Sequence, residues 1–216
     1  MHSTIQNLLD IQNKIKVKSV SNKSIKIIAV TKTFEMEKIK PLLEHGHLDF
    51  GENKVQEALE KWADYRQKNS NIKLHLIGGL QTNKVKIAVK LFDYIHSVDN
   101  EKLAKKISQE EVKNKKKLKI FIQVNIGEEK QKSGIKVQEL DNFYLYCKKL
   151  DLNIIGLMCI PPNNEDPNIF FDKLNLLNKK LNLPELSMGM SQDFLSAIDN
   201  NATYVRIGSQ IFGKRN

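Results

Sequence analysis

Cysteine, arginine and long apolar runs are all scarce in this 216-residue chain. With only two cysteines, Cys147 and Cys159, a disulfide framework cannot stand in for a core. Cys147 falls on an apolar helical stripe and Cys159 ends an apolar run, so both read as small core residues. No segment approaches the roughly 20 apolar residues that a membrane span needs. The opening Met1-His2-Ser3-Thr4-Ile5 lacks the charged-then-apolar plan of a signal peptide. The expectation is a cytoplasmic protein with no membrane partner. No Walker loop, dinucleotide fingerprint or serine-hydrolase elbow occurs.

The arginines are Arg66, Arg206 and Arg215, three of 35 basic residues. A net charge of +10 would suit nucleic acid. The excess, however, is lysine, in a chain also rich in asparagine and isoleucine, which reads as compositional drift. The densest run, Lys113 to Lys119, lies between a predicted helix and strand and reads as a solvated turn. Nucleic-acid binding therefore stays a minor alternative.

What the chain does have is a regular alternation of short apolar runs and amphipathic stripes. Strands are predicted at 26–30, 48–50, 73–77, 94–98, 118–124, 153–158, 185–187 and 203–207. Between them Val55, Ala58, Leu59 and Trp62 recur at helical spacing, as do Leu140, Phe143, Cys147 and Leu150, and Phe170, Leu174, Leu177 and Leu181. Ile5, Leu8, Leu9 and Ile15 mark an extra helix before the first strand. Pro41 kinks the helix after that strand or sets its start. Strands alternating with helices, without a linker-sized break, predict a single domain over residues 1–216. The fold class is α/β, a (β/α)8 TIM-type barrel with an extra N-terminal helix; an open doubly wound sheet is the alternative.

Chemistry in such a barrel collects at the C-terminal ends of the strands. Lys32 follows Ile27-Ile28-Ala29-Val30-Thr31, so the first strand reads as ending in a lysine. In a pocket, a desolvated amine becomes a nucleophile toward aldehydes. Taken alone, a lysine that snorkels into water is the commoner case. After the seventh strand, Ser187-Met188-Gly189-Met190-Ser191 leads into a helix, with Ser191 as its predicted N-cap and a phosphate-binding N-terminus beyond it. Asp193, in the predicted first turn, would oppose an anion. After the eighth strand, Gly208 lets backbone approach a ligand and Ser209 can donate a hydroxyl. Arg206, between Val205 and Ile207 in an apolar strand, needs a fixed acceptor. A structural carboxylate or a ligand's pyridine nitrogen would serve.

Other residues read as structural. His45-Gly46-His47 has no zinc-ligand spacing and reads as a surface turn. Glu52 and Glu57 flank Asn53 at a helix start, where acids complement the dipole. His75 and His96 alternate with apolar strand residues and read as satisfied core or barrel-mouth groups rather than ligands. No metal site is expected.

Together these segments resemble the YggS/PROSC group of pyridoxal 5′-phosphate (PLP) homeostasis proteins. The resemblance rests on Ala29-Val30-Thr31-Lys32-Thr33, Phe50-Gly51-Glu52-Asn53-Lys54-Val55-Gln56-Glu57, Leu76-Ile77-Gly78-Gly79-Leu80-Gln81-Thr82-Asn83-Lys84 and Ile122-Gln123-Val124-Asn125-Ile126. It continues in Gly156-Leu157-Met158-Cys159-Ile160-Pro161, Leu186-Ser187-Met188-Gly189-Met190-Ser191-Gln192-Asp193 and Val205-Arg206-Ile207-Gly208-Ser209-Gln210-Ile211-Phe212-Gly213. It implies a monomeric or weakly associating barrel like the N-terminal domain of alanine racemase. It also implies PLP held as an aldimine of Lys32, with Ser191, Gly208 and Ser209 at the phosphate, Arg206 at the pyridine nitrogen and Asn53 along the ring. The implied role is to buffer or deliver PLP, a form of vitamin B6, to PLP-requiring apo-enzymes, without turnover.

A racemase of this architecture takes a second acid/base, usually a tyrosine, from another domain. The chain ends at Asn216 with no room for one, and its five tyrosines, Tyr65, Tyr94, Tyr144, Tyr146 and Tyr204, fall on helices or near strand starts. No catalytic residue is therefore assigned. Lys84, Lys130 and Lys132, on loops at the same face, are candidate second amines for releasing PLP. The alternatives are a racemase-like or decarboxylase-like PLP enzyme lacking its second domain, and a cofactor-free Schiff-base aldolase.

Overall fold

The computed structural model describes residues 2–18 and 24–213; Arg215 and the chain end at Asn216 lie outside the described residues. The first helix, α1 (Ser3–Lys18), precedes strand β1 (Lys26–Val30). The chain then alternates through α2 (Met36–Glu44), β2 (Asp49–Glu52), α3 (Val55–Lys68), β3 (Lys73–Leu76), α4 (Val85–Leu91), β4 (Tyr94–Val98) and α5 (Glu101–Asn114). It continues through β5 (Lys119–Gln123), α6 (Leu140–Lys149), β6 (Ile154–Met158), α7 (Pro167–Lys180), β7 (Glu185–Met190), α8 (Phe194–Asp199), β8 (Tyr204–Ile207) and α9 (Ser209–Phe212). The strands close in sequence order, β8 pairing parallel to β1 with Arg206 opposite Ile28. This is the closed (β/α)8 barrel that the alternation predicts, and the open sheet is excluded.

The local signals act where chemistry says they should. Asn100 caps α5, its side chain accepting the Leu103 N–H. Asp166 caps α7, with Pro167 opening the helix. Pro41 does not set the start of α2, which begins at Met36; it is carried inside the helix. Strand β1 is buried through its last four residues and β4 through all five, as expected for strands covered on both faces.

Two apolar layers result. One fills the space between barrel and helices, around Trp62, Phe50, Phe92 and Phe171. Each such side chain contributes about 1.5–3 kcal/mol on leaving water. The other lies inside the barrel and comprises Ile28, Tyr94, Phe121, Met158 and Tyr204. Polar groups share that interior: His75, His96, Ser187 and Arg206 are all buried. Cys147 and Cys159 are free, buried thiols. Among the described residues no helix is long and apolar enough to cross a membrane.

Three expectations are corrected. Strand β1 stops at Val30, so Lys32 lies in the turn beyond it rather than on the strand. Strand β2 runs on through Gly51 and Glu52, and β7 through Met190, because neighbouring strands pair with glycine-bearing segments that look like loops in isolation. The lysine run after α5 is not simply a solvated turn. Lys116 donates to the carbonyls of Phe92, at 2.6 Å, and Lys90, and Lys117 bonds Asp151 at 2.7 Å.

Candidate functional site

A pocket of about 470 Å³ opens where the strands end, within the usual size range for small ligands. Lys32, Asn53, Ser191, Arg206, Gly208 and Ser209 all line it, with Val30, Ile77, Pro161 and Asp193. The six sequence-predicted residues come from the ends of β7, β8, β1 and β2, which are consecutive around the closed barrel.

Lys32 is presented by a tightly held turn. The Phe34 N–H donates to the Thr31 carbonyl at 3.1 Å, and Thr33 sits at φ 67°, a costly conformation for a β-branched residue. Its N–H donates to Glu57 Oε1 at 2.5 Å. Lys61 Nζ then ties the turn to the barrel wall, donating to Thr31 O at 2.8 Å, Glu52 Oε1 at 2.9 Å and Glu57 Oε1 at 3.1 Å. Burial alone would raise the Glu57 carboxyl, but the Thr33 amide and Lys61 bring it below its ordinary range.

Glu52 is not a helix-start acid. It is the last residue of β2 and fully buried. Its Oε1 accepts from Thr31 Oγ1 at 2.7 Å and Trp62 Nε1 at 2.9 Å as well as from Lys61. Among the described residues its Oε2 has no hydrogen-bond partner. Glu57 does lie in the first turn of α3, with the added task of holding Thr33. Lys61 gave no signal in the sequence: one lysine on an amphipathic helix reads as solvated.

Asn53 is fixed by backbone contact. A Cβ on Gly78 would stand 2.3 Å from the Asn53 carbonyl oxygen, so glycine there lets the β3 loop lie against it. On the other side, Ser191 does not cap a helix. Helix α8 begins at Phe194, its N-cap position is Asp193, and Ser191 stands in the turn before it. Asp193 Oδ1 accepts the Met190 N–H at 2.5 Å, so this carboxylate fastens the end of β7. Gly189 at φ 88° permits the bend, its missing Cβ leaving room for Ala197 at 2.6 Å. The Gln210 side chain donates to the Ser191 carbonyl and joins the two loops that follow β7 and β8.

Arg206 is 4% exposed. It donates from NH1 to Ser187 Oγ at 2.8 Å and from NH2 to the Cys159 carbonyl at 2.9 Å. Both acceptors are neutral, and no salt bridge joins Arg206 to a carboxylate among the described residues. Burial lowers its pKa from the ordinary value. A Cβ on Gly208 would only graze Val30, at 3.4 Å, so packing does not demand glycine there.

The remaining candidates lie elsewhere. His45 ends α2, and Gly46 turns the chain at φ 87°. His47 Nε2 bonds the Asp49 carbonyl at 2.9 Å. Tyr94 and Tyr204 begin β4 and β8, at the end of the barrel opposite the pocket, where Lys119 and Lys26 donate to their hydroxyls at 3.2 and 2.7 Å. His75 and His96 are buried and bonded, as core histidines should be.

The sequence profile of the alanine racemase N-terminal domain matches residues 7–216. A pyridoxal phosphate homeostasis protein of Pasteurella multocida is 36% identical, over 97% of each chain. The chain belongs to the family of pyridoxal phosphate homeostasis proteins. A second relative bearing that description, from Aquifex aeolicus, is 40% identical over 88% of this chain and 87% of its own. Among solved structures of the family, PipY of Synechococcus elongatus with PLP bound is 30% identical, with a TM-score of 0.87 over 97% of this chain and all of PipY. Alanine racemase of Clostridium difficile shares the fold alone, at 16% identity and a TM-score of 0.76. There the match covers 99% of this chain but 57% of the racemase.

Proposed function

We propose that this protein binds PLP covalently through Lys32 and buffers or delivers it in the cytoplasm, as a single monomeric domain over residues 1–216 without catalytic turnover. The observation that carries the reading is the convergence of an amine, two serine hydroxyls and a guanidinium with neutral acceptors on one pocket. This donor set fits PLP, whose aldehyde condenses reversibly with an amine. Lys32 would supply that amine from its clamped turn. Ser191, Gly208 and Ser209 would hold the phosphate, and Asn53 would line the ring. Arg206 would donate to the pyridine nitrogen and so keep it unprotonated, which weakens the ring as an electron sink.

Carrier rather than enzyme is supported by the tyrosines. Tyr94 and Tyr204 point their hydroxyls to lysines at the opposite end of the barrel, and Tyr65, Tyr144 and Tyr146 belong to α3 and α6. No phenol is thus placed at the pocket to exchange a proton. For release, Lys84, Lys130 and Lys132 remain the candidate second amines. Lys132 Nζ already touches the pocket rim, donating to the Pro161 carbonyl at 3.1 Å. PLP-requiring apo-enzymes are the proposed recipients.

Borohydride reduction in the presence of PLP, followed by peptide mass spectrometry, tests the site. A phosphopyridoxyl group on Lys32 is expected. An unmodified Lys32 refutes the reading and returns weight to an aldolase. Racemised product from single amino acids given to the PLP-loaded protein would refute the carrier assignment. Unchanged PLP transfer to an apo-enzyme after replacing all three loop lysines would remove them from release.

A further inference from the structure

Inside the barrel, polar side chains form one unbroken chain. Arg206 NH1 donates to Ser187 Oγ at 2.8 Å. Ser187 Oγ lies 2.8 Å from His96 Nδ1, His96 Nε2 lies 3.0 Å from His75 Nδ1, and His75 Nε2 lies 2.9 Å from Asp49 Oδ1. These residues sit on β8, β7, β4, β3 and β2. The chain starts at the pocket and ends at the first residue of β2, towards the opposite end of the barrel, where the Asp49 side chain is 22% exposed.

The two ends set the direction. A guanidinium can only donate, and an ionised carboxylate can only accept. Burial lowers the pKa of both rings, His96 well below the ordinary value, with His75 and Arg206 adding to the effect. Burial alone would raise the Asp49 carboxyl, but the hydrogen bond it accepts from His75, helped by the nearby Lys26 charge, holds it below its usual range. With neutral rings, one arrangement satisfies every link. The Ser187 hydroxyl donates to His96 Nδ1, His96 Nε2–H donates to His75 Nδ1, and His75 Nε2–H donates to Asp49. Stacking fixes the ring planes, His75 on Tyr94 at 4.1 Å and His96 on Phe121 at 4.3 Å between centroids.

We propose that Asp49, His75, His96 and Ser187 act as a one-way hydrogen-bond relay that positions Arg206 as a donor toward the ligand ring; the proposal rests on the PLP reading. An apolar interior would fill the same space without the desolvation of four polar side chains. Among the described residues Arg206 has no carboxylate in direct contact, and the relay links it through aligned dipoles to the one at Asp49. Aligned bonds of this kind polarise one another in a low-dielectric interior. The relay residues are positioning residues: their effect on PLP passes through Arg206.

Nitrogen-15 NMR of histidine-labelled apo-protein tests the relay without the ligand. His75 and His96 are expected as neutral Nε2–H tautomers. Ser187→Ala removes the donor to His96 Nδ1 and should shift that nitrogen's resonance while the Asp49 end holds the tautomer, weaken PLP binding about tenfold and shift the absorption maximum of the bound cofactor. Ser187→Thr, which keeps the hydroxyl, should restore all three. Asp49→Asn alters only the far end and should disturb the His75 ring, with a smaller loss of affinity of about threefold. A wild-type His96 found protonated, or as the Nδ1–H tautomer, overturns the relay. So does an Asp49→Asn protein whose rings change while PLP affinity and spectrum do not. Failure of the wild type to take up PLP sinks the functional reading, and this role with it. That outcome is distinguishable, because the tautomers are read in the apo-protein.

Discussion

Replacing Lys61 by methionine should expose how the cofactor lysine is held. Lys61 is 9% exposed at its side chain and its partner Glu52 is fully buried, so solvent screening takes little from this pair. Methionine keeps the volume of the stem but removes three hydrogen bonds, to Thr31 O, Glu52 and Glu57. Glu52 then keeps only Thr31 and Trp62 on Oε1, and its Oε2 already lacks a partner among the described residues. Breaking a buried pair from one side costs about 3–5 kcal/mol. Urea unfolding of Lys61→Met should therefore show a loss of about that size with an unchanged m-value.

The reasoning also fixes the double variant. Adding Glu52→Gln removes the stranded charge while keeping an acceptor oxygen for Thr31 and Trp62, and should return the loss to about 1–2 kcal/mol. The Thr33 turn, still without its Lys61 brace, should remain loose. Borohydride trapping of PLP on Lys32 should then stay slower by about tenfold even in the restored protein. A loss under about 1 kcal/mol for Lys61→Met, or no recovery with Glu52→Gln, would refute the account of the cluster.

Other consequences are as direct. Burial would raise the Asp93 carboxyl, but bonds from Arg66 and the Leu74 amide hold it below 3.8; its stabilisation is thus intact above about 3.8 and is lost as pH falls through the lower folded value. The Tm gap between wild type and Asp93→Asn should accordingly be constant near neutrality and shrink only in strong acid. Burial pushes both cysteine thiols up to about 12, so thiol reagents should label neither in the native protein and both after unfolding. Gly189→Ala meets both a left-handed φ and the Ala197 side chain, and should cost more than about 1 kcal/mol. Gly208→Ala should leave Tm nearly unchanged and lower PLP affinity; unaltered affinity would remove Gly208 from the site.

The fold was legible because barrel strands buried on both faces are short apolar runs, and Ile27–Val30 or Ile120–Ile122 cannot be mistaken for much else. Legibility failed where glycine entered a strand. Gly51 and Gly189 made β2 and β7 look finished early, and pairing with neighbours, invisible locally, carries both strands on. The pocket residues were legible as strand-end residues, since closing the barrel brings β7, β8, β1 and β2 side by side. Their supports were not. Glu52 reads as a helix-start acid until Trp62 and Lys61, on the next helix, are seen to reach back to it. His96 meets Ser187 across 91 positions of sequence, and no periodicity carries that information.

Three departures from ordinary folding rules meet at the pocket. Among the described residues, six non-glycine positions take positive φ. Lys115, Asp151, Asn182 and Asn201 do so just beyond the ends of α5, α6, α7 and α8, where a left-handed residue commonly ends a helix. Glu128 lies in the loop after β5, and Thr33, the β-branched one, follows Lys32. The buried acid with an unpaired oxygen that lies beside this turn is Glu52. The buried cation held by neutral acceptors is Arg206. Strain, an unsatisfied carboxylate oxygen and an unneutralised charge each destabilise a fold when taken alone. Their convergence on the strand ends around one pocket is hard to assign to folding, because a more apolar barrel would fold at least as well. It follows if the turn and the guanidinium are set in advance for a ligand that reacts at one end and accepts a hydrogen bond at the other.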